Sequence, residues 1–360
     1  MKTVLFDHPE FDGHVNLYAH FDEKTGLKAI SAVHRAWHGK PAVGGCRLRN
    51  YRSAEEAFTD VLRLSKGMTY KSVLSGLDYG GSKSVMIANP ETMNRRETFL
   101  AMGDFVESLG GKISTGVDVG LSAADVEIMG ERTSYLGGRG ALAPDLVTAH
   151  GVLTSILAAV KHRRGSDDLQ GLSVAVQGLG KVGFKLVELL LERGARVIGA
   201  EVNREAVAKA RDLHNIEIVD PSVIHAQEVD IYSPCALGMV VNDISINQIS
   251  AGIVAGAANN QLTRPEHGVA LAEKDILYVP DYISNCGGLL AVASDLEKSD
   301  ESWVWNKVNE ISATLHEVFT LADRDEIATS DAADQIGKAR IDAFDQKHER
   351  NNPIRQAPAA

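Results

Sequence analysis

Lys71 and Lys83 are the side chains in this sequence whose type and placement most directly suggest chemistry. Lys71 closes the run Leu62-Arg63-Leu64-Ser65-Lys66-Gly67-Met68-Thr69-Tyr70-Lys71, and Lys83 follows the glycine-rich turn Gly80-Gly81-Ser82. Ammonium groups gathered at such a turn suit a carboxylate substrate and proton transfer, because a lysine near a helix end neutralises an anion strongly in a partly dry cleft. A solvated helix lysine and a surface turn lysine are the competing readings of the same two residues. Lys+Arg number 37 against Asp+Glu 48, a formal charge of -11. That balance opposes binding to nucleic acid or an anionic membrane, so any anion must be captured locally.

A second block, Val174-Ala175-Val176-Gln177-Gly178-Leu179-Gly180-Lys181-Val182-Gly183, reads as an apolar strand, a tight turn and a helix start. A bare GxGxxG is weak, but strand, turn and helix in this order are what dinucleotide binding requires. Gly178 permits the turn, Gly180 lets backbone N–H groups reach a pyrophosphate, and Gly183 lets the helix pack close on the strand. Leu179, Lys181 and Val182 complete the loop and helix start. The next predicted strand ends at Glu201, roughly 20 residues past the glycines, where an acid accepts hydrogen bonds from ribose hydroxyls and repels a 2′-phosphate. NAD is therefore expected over NADP, although Arg204 is close enough to soften the preference. An ordinary strand-helix turn is the plain alternative. Together the two blocks point to a dehydrogenase acting on an amino acid.

These residues need elements to hold them. Alternating patterns predict strands over His14 to Phe21 and Leu27 to His34, joined by the turn Glu23-Lys24-Thr25-Gly26. Ser53 with Glu56 three residues on starts a helix whose apolar positions Ala57, Val61, Leu62, Leu64 and Met68 carry it to the lysine segment. A helix over Pro90 to Leu109, a strand over Lys112 to Thr115 and a helix over Ala123 to Met129 follow. A helix from about Thr148 to Lys161 is expected to cross to a second domain and to carry the hinge. Beyond it, strands and helices alternate from Ser173 to Tyr278, the pattern of a doubly wound, largely parallel sheet. From Trp303 the chain reads as amphipathic helix, with Trp303, Val304, Val308, Ile311, Leu315 and Val318 on one face. The tail from Asn351 to Ala360 is expected to be disordered.

At 360 residues the chain exceeds a single comfortable core. The expected fold is α/β in two domains separated by a cleft: an N-terminal α/β substrate domain over residues 1–143 and a Rossmann-type doubly wound dinucleotide-binding domain over 144–324. Helices over about 325–360 are candidates to pack back on the first domain. Cys46, Cys235 and Cys286 lack metal spacing and read as reduced, mostly buried thiols, so no metal site is expected. No apolar run approaches the ~20 residues of a membrane span, and no cleavage pattern stands at Met1, so a cytoplasmic location is the expectation.

The ordered runs Gly44-Gly45-Cys46-Arg47, Lys66 to Lys71, Gly80 to Lys83, Thr115 to Gly120, Pro234-Cys235-Ala236-Leu237-Gly238, Gly256 to Leu262 and Pro280 to Gly288 resemble the Glu/Leu/Phe/Val amino-acid dehydrogenases. The likeness spans nearly the whole chain and lies with the leucine/phenylalanine/valine branch. It implies reversible, NAD-dependent oxidative deamination of an L-amino acid to its 2-oxo acid and ammonia by a homo-oligomer. By motif, Lys71 pairs with the substrate carboxylate, Lys83 is the general base for water attack on the iminium, and Asp118 handles the amino proton and balances the lysines. Helix capping near Ser122 is the bland reading of Asp118. Gly44 and Gly45 offer backbone groups near the reacting carbon, a plain turn being the competing view. Met68 belongs to the same substrate-binding set. Asn259 holds substrate from the cofactor domain, Thr148 meets the nicotinamide carboxamide, and Pro234, Cys235 and Ala236 lie near the adenosine ribose. Ser82 stands where the family often has a third glycine, which is expected to restrict the backbone beside Lys83.

The implied side-chain pocket, Val43, Gly116, Leu289 and Val292, carries no charge to meet a second carboxylate. Its Gly116 and Leu289 pair resembles phenylalanine dehydrogenases more than leucine-preferring relatives, so a large apolar, aromatic-preferring substrate is expected. A branched-chain amino acid dehydrogenase is the alternative within the family. A non-catalytic sensor binding NAD and an amino acid is the alternative from another class.

Overall fold

The computed structural model describes residues 5–350 apart from 38, 139, 141 and 237. The tail from Asn351 to Ala360 and Leu237 lie outside the described residues. The chain forms two compact units: residues 1–73, 77–139 and 338–360 make one, and 74–76 with 140–337 make the other.

The first unit contains β1 (Asn16–Asp22), β2 (Leu27–Val33), β3 (Ala42–Val43), β4 (Cys46–Arg49), α1 (Ala54–Leu74), β5 (Ser82–Ile87), α2 (Arg95–Ser108), β6 (Ile113–Ser114) and α3 (Ala123–Gly130). Its main sheet has the order β1-β2-β5-β4, antiparallel except for the parallel pair β4 and β5. Period-two alternation sends Leu27, Ala29 and Met86 to one face, where Phe99, Met102, Val106 and Met129 cover them. Ala32 and Val85 face the other way and meet Ala57, Val61 and Leu62 of α1. Both faces are therefore apolar, and α1 is pinned where it delivers Lys71.

The helix starts show how local chemistry sets boundaries. Ser53 Oγ accepts from the Glu56 N–H at 3.1 Å, while the Glu56 carboxylate reaches back to the Arg52 N–H at 2.8 Å. The expected helix at Pro90 begins instead at Arg95, because Asn94 caps it by accepting from the Glu97 N–H. Before it, Asn89 Oδ1 takes the Glu91 N–H at 3.0 Å, a local turn that competes with helix.

The second unit contains α4 (Pro144–Arg164), β7 (Ser173–Gln177), α5 (Lys181–Glu192), β8 (Arg196–Ala200), α6 (Arg204–His214), β9 (Glu217–Ile218), β10 (Ile231–Pro234), β11 (Ile253–Val254), α7 (Glu266–Glu273), β12 (Leu277–Tyr278), α8 (Asp281–Ser284), α9 (Gly287–Glu297) and α10 (Glu301–Asp325). α11 (Thr329–Arg350) begins in this unit. The sheet order is β12-β11-β10-β7-β8-β9, with every described pair parallel. Counted from its first strand this is 3-2-1-4-5-6, the doubly wound dinucleotide-binding order, and it puts the switch point between β7 and β10. The long helix expected from Trp303 onward is interrupted, since Glu326 adopts φ 54° and closes α10. Trp303 is only half-buried, whereas Val304, Val308, Ile311, Leu315 and Val318 are buried.

Candidate functional site: a lysine-aspartate pair and a dinucleotide turn

In the first unit, the short segment through Gly44 and Gly45 is flanked by β5, which carries Lys83, and by the loop after β6, which carries Asp118. The Ser84 N–H donates to Gly45 O at 3.1 Å on one side, and the Cys46 N–H donates to Gly116 O at 2.9 Å on the other. This brings Lys83 Nζ to 3.0 Å from Asp118 Oδ2, with Lys83 only 6% exposed. A Cβ on Gly45 would lie 2.9 Å from Asp118 Cβ and 3.2 Å from Lys83 Nζ, so the close approach requires glycine there. Arg47 on β4 donates from Nε to the same Asp118 oxygen at 2.9 Å. Burial raises the Asp118 pKa, but the neighbouring Lys83 and Arg47 charges outweigh it and hold the carboxyl at about 2. Asp118 is thus a carboxylate at neutral pH. Its second cation is Arg47, a residue quoted in the glycine motif but given no role from sequence.

The turn before Lys83 is held by α1. The Gly81 N–H donates to Thr69 Oγ1 at 2.9 Å, and Thr69 Oγ1 in turn meets His34 Nδ1 at 2.9 Å. Ser82 does not distort it: the residue is fully buried and its hydroxyl donates to Ala42 O at 3.0 Å. The restriction expected at Ser82 is therefore absent, because strand β5 begins there with an ordinary extended backbone and the hydroxyl has a partner. Lys71 and Met68 sit one turn apart on α1, both half-buried. Val43 is buried on β3, paired in register with Ser114. Gly116 is less open than its lack of a side chain suggests, since a methyl there would stand 2.9 Å from the Gly137 carbonyl.

In the second unit the glycine fingerprint forms the expected turn. Gly178 has φ +96° and donates its N–H to Ala200 O at 2.7 Å, while a Cβ on Gly183 would strike Gly178 O. Gly180 is the N-cap of α5, and no side chain caps that helix. Lys181, Val182 and Gly183 supply its first turn. Backbone N–H groups at an uncapped helix N-terminus suit a pyrophosphate, so the residues fit a dinucleotide. Glu201 accepts N–H groups from Leu179 at 2.8 Å, Val202 at 2.7 Å and Asn203 at 3.0 Å. Partial burial raises the Glu201 pKa, but these amides lower it further, leaving an ionised acceptor beside the turn.

Pro234 ends β10, the Cys235 N–H donates to Gln177 O at 2.7 Å, and Ala236 abuts Gly178. Thr148 Oγ1 donates to Pro144 O at 2.7 Å inside α4, so its proton is committed and its lone pairs are what it can offer. Asn259 is exposed, and its Oδ1 accepts from Asn285 Nδ2 at 3.1 Å. Asn285 also donates to Ala257 O, which makes it the buried support of that loop and a second residue overlooked from sequence. Leu289 and Val292 share a face of α9, the first buried and the second half-buried. The three cysteines are free. Among the described residues no cluster of three metal-binding side chains occurs, and no helix is long and apolar enough to cross a membrane.

The chain is similar to known proteins over nearly its whole length. Residues 14–138 match the family described as "Glu/Leu/Phe/Val dehydrogenase, dimerisation domain". Residues 137–220 and 200–349 match "Glutamate/Leucine/Phenylalanine/Valine dehydrogenase". The chain is 41% identical to a leucine dehydrogenase of Geobacillus stearothermophilus, over 90% of this chain and 89% of the relative. It is 43% identical to a phenylalanine dehydrogenase of Bacillus thermotolerans, over 89% and 87%. Among solved structures, L-tryptophan dehydrogenase from Nostoc punctiforme superposes with a TM-score of 0.82 at 38% identity, covering 93% of this chain and 97% of that one. Matched from the lysine turn through the parallel sheet, this chain belongs to the Glu/Leu/Phe/Val dehydrogenase family, in its leucine/phenylalanine/valine branch, and is an amino acid dehydrogenase.

Proposed function

We propose that this enzyme catalyses the reversible, NAD-dependent oxidative deamination of a large apolar L-amino acid, L-phenylalanine foremost, to its 2-oxo acid and ammonia. The observation that carries the reading is the 3.0 Å contact of buried Lys83 with Asp118 beside a glycine that leaves no side chain between them. Lys71 neutralises the substrate carboxylate, and the Gly44-Gly45 backbone orients the reacting carbon. Asp118 takes a proton from the substrate ammonium. The cofactor, when bound, supplies the acceptor for the Cα hydride, and the substrate is left as an iminium. Lys83, in its neutral form, removes a proton from the water that adds to the iminium carbon. Asp118 then returns its proton to the amino nitrogen, and as a carboxylate again it accepts the hydroxyl proton while the C–N bond breaks, ammonia leaves and the 2-oxo acid forms; Lys83 and Asp118 release their protons to solvent before the next turnover.

NAD is favoured over NADP because the ionised Glu201 carboxylate stands beside the phosphate-binding turn. Thr148, Asn259, Pro234, Cys235 and Ala236 complete the cofactor set in this reading. Substrate selection is assigned to Val43, Gly116, Leu289 and Val292, with Met68 beside Lys71. A homo-oligomer in the cytoplasm belongs to the same reading, supported for assembly by the dimerisation domain named in the matching family.

A branched-chain preference is the second reading, favoured by the 41% identity to a leucine dehydrogenase, which nearly equals that to the phenylalanine enzyme. Purified protein supplied with NAD and each L-amino acid, with NADH absorbance followed, separates them. The expected result is a higher kcat/KM for phenylalanine than for leucine or valine, and the reverse order overturns the aromatic assignment.

A further inference from the structure

Arg47 joins two carboxylates in the first unit. Its Nε donates to Asp118 Oδ2 at 2.9 Å and its Nη1 to Asp60 Oδ2 at 3.0 Å. Asp60 Oδ2 also accepts from the Tyr51 hydroxyl at 2.7 Å. Arg47, Asp60 and Asp118 are 15%, 19% and 20% exposed, so the row is largely withdrawn from water. Arg47 sits on β4, Asp60 on α1 and Lys83 on β5, so the fold brings three separate elements to one row. Lys83 and Arg47 balance Asp60 and Asp118, as burial of four charges demands. Both cations contact the same Asp118 oxygen, which leaves Oδ1 as the oxygen able to take up a proton.

We propose that Arg47, steadied from behind by Asp60 and Tyr51, is a positioning residue that divides the charge of Asp118 Oδ2 between itself and Lys83. The inference rests on the proposed roles of Lys83 and Asp118. If Arg47 did not share Oδ2, the whole Asp118 charge would fall on the Lys83 ammonium. If Asp60 did not share Arg47, the guanidinium would bear more fully on Asp118 and leave less of its charge to Lys83. Arginine suits the task because its planar fork reaches two carboxylates at once, where a lysine reaches one. Other ionisable groups nearby are the Cys46 thiol on β4, pushed up to about 12 by burial and then by Asp118, the Tyr51 hydroxyl, raised by burial and Asp60, and the Arg49 guanidinium on β4, 5.4 Å from the Tyr51 ring. Lys71 lies about three turns along α1 from Asp60.

The test compares Arg47→Gln, Arg47→Lys and Asp60→Asn with the parent enzyme in steady-state deamination from roughly pH 7 to pH 11, the range in which lysines titrate. Arg47→Gln should lower kcat by roughly 100-fold with KM changed much less, and should move the alkaline rise in rate upward by about one pH unit. Asp60→Asn, which keeps its shape, should move the rise downward by about one unit, and Arg47→Lys should fall between the parent and Arg47→Gln. Shifts in opposite directions support the proposal. Loss of rate with an unchanged pH profile, or shifts in the same direction, overturns it and leaves Arg47 a structural clamp. Lys83→Ala, measured in the same assay, isolates the underlying reading: if it retains turnover, the assigned chemistry is wrong whatever the Arg47 variants do.

Discussion

Asp118 keeps its charge because two cations meet one of its oxygens, and that has a consequence for stability. Its folded pKa, about 2, lies below the ordinary carboxylate value of 3.8. The stabilisation is therefore complete at neutral pH and is lost as pH falls from about 4 toward about 2, amounting to roughly 2 kcal/mol. Denaturant titrations should show Asp118→Asn destabilised at neutral pH, with the difference shrinking below about pH 4 and largely gone near pH 2; a constant difference would contradict the ion-pair account. At Gly116 the expectation concerns selectivity. A methyl there would press on the Gly137 carbonyl and narrow the site, so Gly116→Ala should lower kcat/KM for phenylalanine relative to leucine by about tenfold, within the ~1–3 kcal/mol of a methylene. An unchanged ratio would remove Gly116 from the specificity set. Glu201 offers a third check, because under the proposed NAD preference Glu201→Ser removes the residue assigned to accept from the ribose and to repel a 2′-phosphate. The ratio of kcat/KM with NADP to that with NAD should rise by at least tenfold, and no change would place cofactor choice elsewhere.

At the scale of elements, the loop that presents Asp118 is fixed by the helix after it. Ser122 Oγ accepts from the Asp125 N–H, Asp125 returns a contact to the Ser122 N–H at 2.6 Å, and Arg95 holds Asp125 from α2. Ser122→Ala should cost about 1 kcal/mol, lowering Tm by several degrees, and should lower kcat because the Asp118 loop loses its anchor. A lower Tm with an unaltered kcat would show the cap to be structural alone. Such local signals are legible in the amino-acid sequence: Ser53, the hairpin over residues 14–34 and the GxGxxG turn each declare themselves within a few residues. The start of α2 is harder to read because Asn89 and Asn94 each divert the backbone, and the outcome depends on which one caps. The break between α10 and α11 is hidden because Glu326 takes a left-handed conformation that no glycine announces.

For the molecule as a whole, strand-helix alternation foretells a doubly wound sheet, and the 3-2-1-4-5-6 order delivers its switch point beside Gly178. Pairing between distant segments leaves no such trace in the sequence. Arg47, Asp60 and Asp118 meet only because β4, α1 and the loop after β6 converge, and Asn285 supports Asn259 across a separation of 26 residues. Ser82 misleads for the same reason, since the carbonyl that satisfies it belongs to Ala42. In the proposed reaction the Lys83 and Asp118 pair performs the deamination while the second unit holds the cofactor. This assignment is tested most directly by Lys83→Ala, with NAD affinity followed by fluorescence titration and NADH production by absorbance. NAD affinity is expected within a few-fold of the parent and kcat reduced by roughly 100-fold or more, the range of general acid-base catalysis; turnover equal to the parent at unchanged NAD affinity would rule out Lys83 as the base.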